Sequence, residues 1–168
     1  MTIPHSSGID YNIINISNNI SNSNNIEKQV SSAYLNTNMN VLGGTTNVIG
    51  NTNKYTLIHE TSSILNLATG KFVIPKSGLY QISFQIWEQL VTGGNRVLII
   101  RNNNNNIAMS NVKNFSTSTA KKFTNNTSYV DYFNLGDEIS FHYESNGGIN
   151  SVYGHVSNKF TWVSLVEL

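Results

Sequence analysis

The 168-residue sequence contains no cysteine and only two prolines. Without thiols, a Cys nucleophile, a disulfide framework and a thiolate zinc site are excluded together, and the redox compartment leaves no mark on the chain. Charge is also scarce, with ten Lys and Arg against nine Asp and Glu for a net charge of +1. Lys121-Lys122 is the only adjacent basic pair. Nucleic acid and polybasic membrane docking both need a clustered basic face, so neither partner is expected. No run of about eighteen apolar residues occurs, so no membrane insertion is expected. The stretch Met1-Thr-Ile-Pro-His-Ser-Ser-Gly8 lacks the basic start and apolar core of a secretory signal.

Catalytic signatures are missing as well. Neither a Gly-x-Ser-x-Gly elbow nor a Gly-x-x-x-x-Gly-Lys-Ser/Thr phosphate loop appears. The His-x-His with a spaced Glu that a cupin-like metal site needs is also absent, so the expectation is no enzyme, no cofactor and no metal. Three acidic positions still draw the eye. His142 and Glu144 share a strand face and have the residue types of a base with its orienting group, or of two metal ligands. Ile139, Phe141 and Tyr143 read as core, which leaves the pair on a solvated outward stripe. Asp137 follows Gly136 at a corner and reads as an acceptor for turn amides. Asp131, set among aromatics, is expected to be buried and paired, on an assembly axis or with Arg96 or Arg101.

What the chain has in excess is asparagine, 28 of 168 residues, including five in a row from Asn102 to Asn106. With much isoleucine, this points to an AT-rich coding sequence, so a single Asn carries little functional information. The sequons at Asn15, Asn19, Asn114, Asn125 and Asn126 follow from that composition. Residues 1–30 alternate Asn and Ser around Ile9, Ile13, Ile16 and Ile20, a heptad fragment. Asn and Ser make poor helix interiors, so this segment reads as flexible or as a short stalk.

Residues 31–168 read as one all-β domain of short strands between turns, the pattern of a sandwich or barrel. Strands are predicted over 32–41, 47–49, 55–60, 64–67, 71–74, 79–89, 96–101, 107–112, 128–135, 138–144, 152–155 and 159–168. The clearest signal is Gly70-Lys-Phe-Val-Ile-Pro-Lys-Ser-Gly-Leu-Tyr-Gln-Ile-Ser-Phe-Gln-Ile86. Pro75 ends one strand, Lys76-Ser77-Gly78 turns, and Tyr80, Ile82, Phe84 and Ile86 then alternate with Leu79, Gln81, Ser83 and Gln85. The last run, Phe160-Thr-Trp-Val-Ser-Leu-Val-Glu-Leu168, is apolar on both faces and needs a cover on each.

Three blocks in this order, Gly78-Leu79-Tyr80 after a Pro turn, a late Leu-Gly136-Asp137 turn and an aromatic final strand, resemble the jelly-roll heads of the tumour necrosis factor and complement first-component q family. The likeness spans roughly residues 31–168. It departs from the family at Trp162-Val163-Ser164, where many relatives have aromatic-x-Gly. The resemblance implies an antiparallel β-sandwich of jelly-roll type, assembled as a homotrimer around a threefold axis. It makes Leu79, Gln81, Gln85, Trp87, Phe160, Trp162, Val166 and Leu168 the interface. It also implies recognition of a host receptor or surface glycan through loops, first Asn102, Asn103, Asn104, Asn105 and Asn106, then Val91 to Asn95. Some heads of the family bind calcium near the axis, but no acid cluster here supplies the six to eight oxygens that calcium takes. The expected setting is the exposed surface of a virus particle, spore or cell. A carbohydrate-binding jelly roll with an exposed aromatic pair is the alternative.

Overall fold

The computed structural model describes residues 27–90, 94–112, 121–146 and 150–168, and every element among them is a strand. Two antiparallel sheets face each other. Sheet A is built on β7 (Gly78–Leu90), whose 13 residues pair on one edge with all of β10 (Lys121–Phe133). On its other edge β7 pairs first with β13 (Trp162–Glu167) and then with β12 (Asn150–Val152). Beyond β13 lie β1 (Val30–Leu35) and β4 (Tyr55–Glu60), and beyond β12 lies β2 (Met39–Val41). Sheet B runs β5 (Leu65–Asn66), β6 (Lys71–Val73), β11 (Glu138–Ser145), β8 (Arg96–Asn102) and β9 (Asn105–Val112), with β3 (Thr45–Val48) also on β11. Apart from the consecutive pairs β5–β6 and β8–β9, neighbours in each sheet come from distant parts of the chain, which is the jelly-roll arrangement expected from the sequence.

The period-two alternation predicted for β7 puts Tyr80, Ile82, Phe84 and Ile86 wholly inside. There Phe84 meets Phe141 of sheet B at 5.2 Å between ring centroids, and Phe141 meets Phe72 edge-on at 5.4 Å. These rings tie the two sheets together, since each buries a large apolar area and the contacts favour tilted or edge-on rings. The hydrophobic core also holds an ionic cluster. Arg96 and Glu88 are both buried with Nε and Oε2 3.6 Å apart, and the Tyr143 hydroxyl donates to the same carboxylate. Burial raises the Glu88 pKa against the opposing pull of Tyr143 and Arg96. Arg96 therefore pairs with Glu88 and not with Asp131.

Several sequence expectations need correction. The run 32–41 is two strands, because Asn36, Thr37 and Asn38 leave the sheet to embrace Gly154. A Cβ on Gly154 would lie 2.3 Å from the Thr37 carbonyl oxygen, and its N–H donates to Asn38 Oδ1. The strand expected over 128–135 starts at Lys121 and stops at Phe133, because β7 offers a backbone partner along its full length. The last strand begins at Trp162, not at Lys159.

Candidate functional site

The outward face of sheet A collects most of the residues singled out from the sequence. Register places Trp162 opposite Gln85 and Val166 opposite Gln81, so both pairs share the face turned away from the core. Leu79 and Trp87 follow on β7 by alternation, and Leu168 donates its N–H to the Leu79 carbonyl just past the end of β13. Phe160 precedes β13, and its ring lies 4.0 Å from that of Trp87, which also touches Tyr153 at 4.9 Å. All eight expected interface residues therefore lie on or beside one face. Trp87 and Phe160 spend part of their surface on each other within the chain.

Register also reveals rows that the sequence conceals. Tyr34, Trp162, Gln85 and Asn126 stand side by side across β1, β13, β7 and β10. The next row is Ser32, Ser164, Ser83 and Ser128, four hydroxyls in line. The third is Val30, Val166, Gln81 and Val130. Below it Leu79 faces Tyr132, which is 61% exposed. From the level of Trp87 and Thr124 to that of Leu79 and Tyr132, none of the outward residues on these four strands carries a formal charge; Lys122, paired with Gln89, is one level further along β10. Between the first two rows lies a hollow of about 230 Å³, lined by Ser83, Gln85, Asn126, Ser128 and Trp162, with Phe84 and Thr127 in its floor.

The asparagine run behaves otherwise than expected. β8 continues through Asn102 and β9 begins at Asn105, so the five-residue loop is a two-residue hairpin turn. Asn103 and Asn104 have φ of 47° and 71°, the left-handed pair of a type I′ turn that Asn tolerates. Asn103 Nδ2 donates to Asp137 Oδ1 at 2.7 Å, its Oδ1 accepts from the Glu138 N–H at 2.9 Å, and Asn102 Nδ2 donates to Asp137 Oδ2 at 3.2 Å. The segment is thus clamped to the β10–β11 corner. Of the second-choice segment Val91 to Asn95, residues 91–93 lie outside the described ones, as do residues 1–26.

Asp137 also accepts from the Asn134 N–H at 3.0 Å. Burial alone would raise its pKa, but these hydrogen bonds outweigh it and hold the carboxyl below its usual value. This is the turn-acceptor role read from the sequence. Asp131 is exposed, not buried, because β10 lies at the margin of sheet A. It accepts from the Tyr129 hydroxyl and the Tyr132 N–H, both at 2.8 Å, and the first of these chiefly lowers its pKa. Arg101 Nε donates to Asn106 Oδ1 at 2.8 Å.

His142 is the sharpest departure. It lies on the outward face of sheet B but is only 6% exposed. Burial, then the nearby Arg101 and Lys71 cations, push its pKa down to about 4, so the ring is neutral at pH 7. Its Nε2 is 2.8 Å from Ser140 Oγ, a nucleophile-and-base pairing in outline. Both residues are buried and no carboxylate among the described residues orients Nδ1, so the pair reads as a structural contact. Glu144 is exposed and reaches Thr46 Oγ1 at 3.4 Å, not His142. Among the described residues no three His, Asp or Glu side chains stand close enough to hold a metal ion, and no helix is long and apolar enough to cross a membrane.

Comparison with known proteins matches shape alone. No family model and no curated sequence matches the chain. Among solved structures, Eiger TNF from S. frugiperda superposes with a TM-score of 0.62 at 11% identity, covering 84% of this chain and 92% of that one. Murine APRIL superposes with a TM-score of 0.59 at 12% identity, covering 84% of this chain and 100% of that one. The chain therefore has the jelly-roll fold of the tumour necrosis factor type.

Proposed function

We propose that the protein is a non-enzymatic recognition head that works as a homotrimer, joined through the outer face of sheet A. The observation that carries this reading is the charge-free centre of that face. A surface left to water is usually rich in charge, whereas the centre of a protein interface is depleted of it and enriched in Trp and Tyr. Four adjacent strands here present Tyr34, Trp87, Trp162 and Tyr132 among Ser, Gln and Val, with no charge between them. The jelly-roll likeness to Eiger and APRIL and the sequence resemblance to trimeric heads favour three copies over two. The C1q-like part of that resemblance rests on sequence alone.

With sheet A covered by sister chains, the loops at the sandwich ends are left to meet a partner, either a receptor or a glycan on a host or neighbouring surface. The Asn102–Asn106 segment contributes through the exposed side chains of Asn104 and Asn105, since Asn102, Asn103 and Asn106 are engaged internally. A virus particle, spore or cell surface is the setting that suits such a head. Of the segment 1–30 expected to lead into the head, Gln29 and Val30 already belong to it, since the Gln29 N–H donates to Glu167 Oε2 at 2.9 Å and Val30 opens β1. The test is Ser83→Glu, which places three carboxylates in the shared face. The expected product is a folded single chain, and retention of a three-chain mass would overturn the assignment of this face.

A second reading has one observation in its favour. The hollow beside Trp162 offers an aromatic wall, two amides and two hydroxyls without charge, the chemistry that holds a neutral sugar ring. In that reading the protein is a monomeric carbohydrate-binding module, and saturable binding of a neutral oligosaccharide to single chains distinguishes it.

A further inference from the structure

Once the outer face of sheet A meets another copy, the hollow bounded by Trp162, Gln85 and Asn126 must be filled or flooded. We propose that it receives the Tyr34 side chain of the neighbouring copy. This rests on the homotrimer proposed above and adds the contact that sets its register.

A closed ring of three is heterologous, so one patch of each chain meets a different patch of the next. If the axis runs along the strands, rotation about it leaves every cross-strand row at its own height. The hollow lies at the β10 side of the row Tyr34, Trp162, Gln85 and Asn126, and Tyr34 stands at the other side of that same row on β1. The occupant must then come from the β1 side at this height. Tyr34 is half-buried, and its hydroxyl makes no hydrogen bond among the described residues. The contact shown for its ring is Lys159 Nζ, 5.8 Å from the centroid.

The chemistry of the two parts matches. A tyrosine buried at an interface needs apolar contact for its ring and a partner for its hydroxyl. Trp162 supplies the first, while Gln85, Asn126, Ser83 and Ser128 supply the second. A charged knob is disfavoured, since the lining holds no counter-charge and a desolvated ion would be left unpaired. Small side chains make the space: the serine row leaves room that larger residues at Ser83 and Ser128 would close.

The absence of cysteine makes the test direct. Tyr34 and Ser128 of one chain are separated by three inter-strand spacings, about 14 Å, beyond the reach of an intrachain disulfide. Oxidising the double variant Tyr34→Cys/Ser128→Cys is expected to give covalent two- and three-chain species on a non-reducing denaturing gel. Each single variant stays a single chain. Tyr34→Cys/Asn126→Cys offers a second pair should the first fold poorly. Single-chain bands from both pairs, with light scattering still giving three chains, would overturn this pairing and leave the trimer standing. Two-chain bands from a single variant would overturn it in favour of a twofold contact. A one-chain mass for the unmodified protein would remove the trimer on which the pairing rests.

Discussion

The outer faces of the two sheets differ in kind although the strands beneath them are alike. On sheet B, the outward positions include Lys71, Glu138, Glu144 and Arg101, and Lys71 and Glu138 form an ion pair at 2.6 Å. On sheet A, four strands in a row present no charge between the level of Leu79 and that of Trp87, and their polar residues there are hydroxyls and amides. One face is written for water and the other for a neutral, partly apolar surface. On the assembly proposed above, the difference teaches that an interface is marked less by hydrophobic residues than by the absence of charge at its centre, because Ser, Gln and Asn can enter it at modest cost while Lys and Glu cannot.

Charge placed on the two faces separates them most strongly. Ser164→Glu, central to the serine row, is expected to abolish self-association, whereas Asn111→Glu on sheet B leaves the mass unchanged. Sedimentation of both variants checks this, and equal effects would erase the distinction between the faces. Core positions should respond differently from either face. Phe84→Ala, between the sheets, is expected to cost the chain about 3–5 kcal/mol and to unfold it, as read by denaturant titration. Trp162→Ala should instead lower the melting temperature mainly by weakening association, an effect that fades as the protein is diluted.

The two sheets respond to pH with opposite sign, through His142 on sheet B and Glu88 on sheet A. The His142 pKa falls from an unfolded value of 6.5 to about 4 in the folded chain, so the unfolded state binds the proton first as pH drops. Stability from this group is full above pH 6.5 and is lost as pH falls toward 4, on the order of 3 kcal/mol. His142→Gln should flatten that part of the stability-against-pH curve, measured by urea unfolding. Glu88 acts with the opposite sign, because its raised pKa lets the folded state take a proton earlier. The smallest effect belongs to the exposed Lys71–Glu138 pair. Lys71→Ala should cost less than about 1 kcal/mol, since surface ion pairs are screened and entropically costly. Asn103→Ala on the same sheet should cost more, because it removes two side-chain hydrogen bonds and leaves a positive φ to a residue that resists it.

Strong alternation made much of this legible from the sequence. β4 was delimited at Tyr55–Glu60 by its flanking turn residues, and β7 by Gly78 and the buried series from Tyr80 to Ile86. The Gly136-Asp137 corner was legible because Gly supplies the positive φ of 86° and Asp the acceptors. β10 escaped because Thr124, Asn125, Asn126, Thr127 and Ser128 show no apolar period; their strand is imposed by pairing with β7. The serine row escaped for another reason. Its members lie far apart in the chain, and only register brings them level. His142 looked solvent-facing by parity, yet neighbouring side chains on sheet B bury it, which strand alternation does not report. The Asn run looked like a loop because its composition is polar, while Asn's tolerance of left-handed backbone lets it turn in two residues.

The central claim, that the outer face of sheet A with its charge-free centre joins three copies, is tested most directly by light scattering of the unmodified protein as it leaves a gel-filtration column at micromolar concentration. The account predicts three times the chain mass of 18.6 kDa. A single species at the mass of one chain would contradict it.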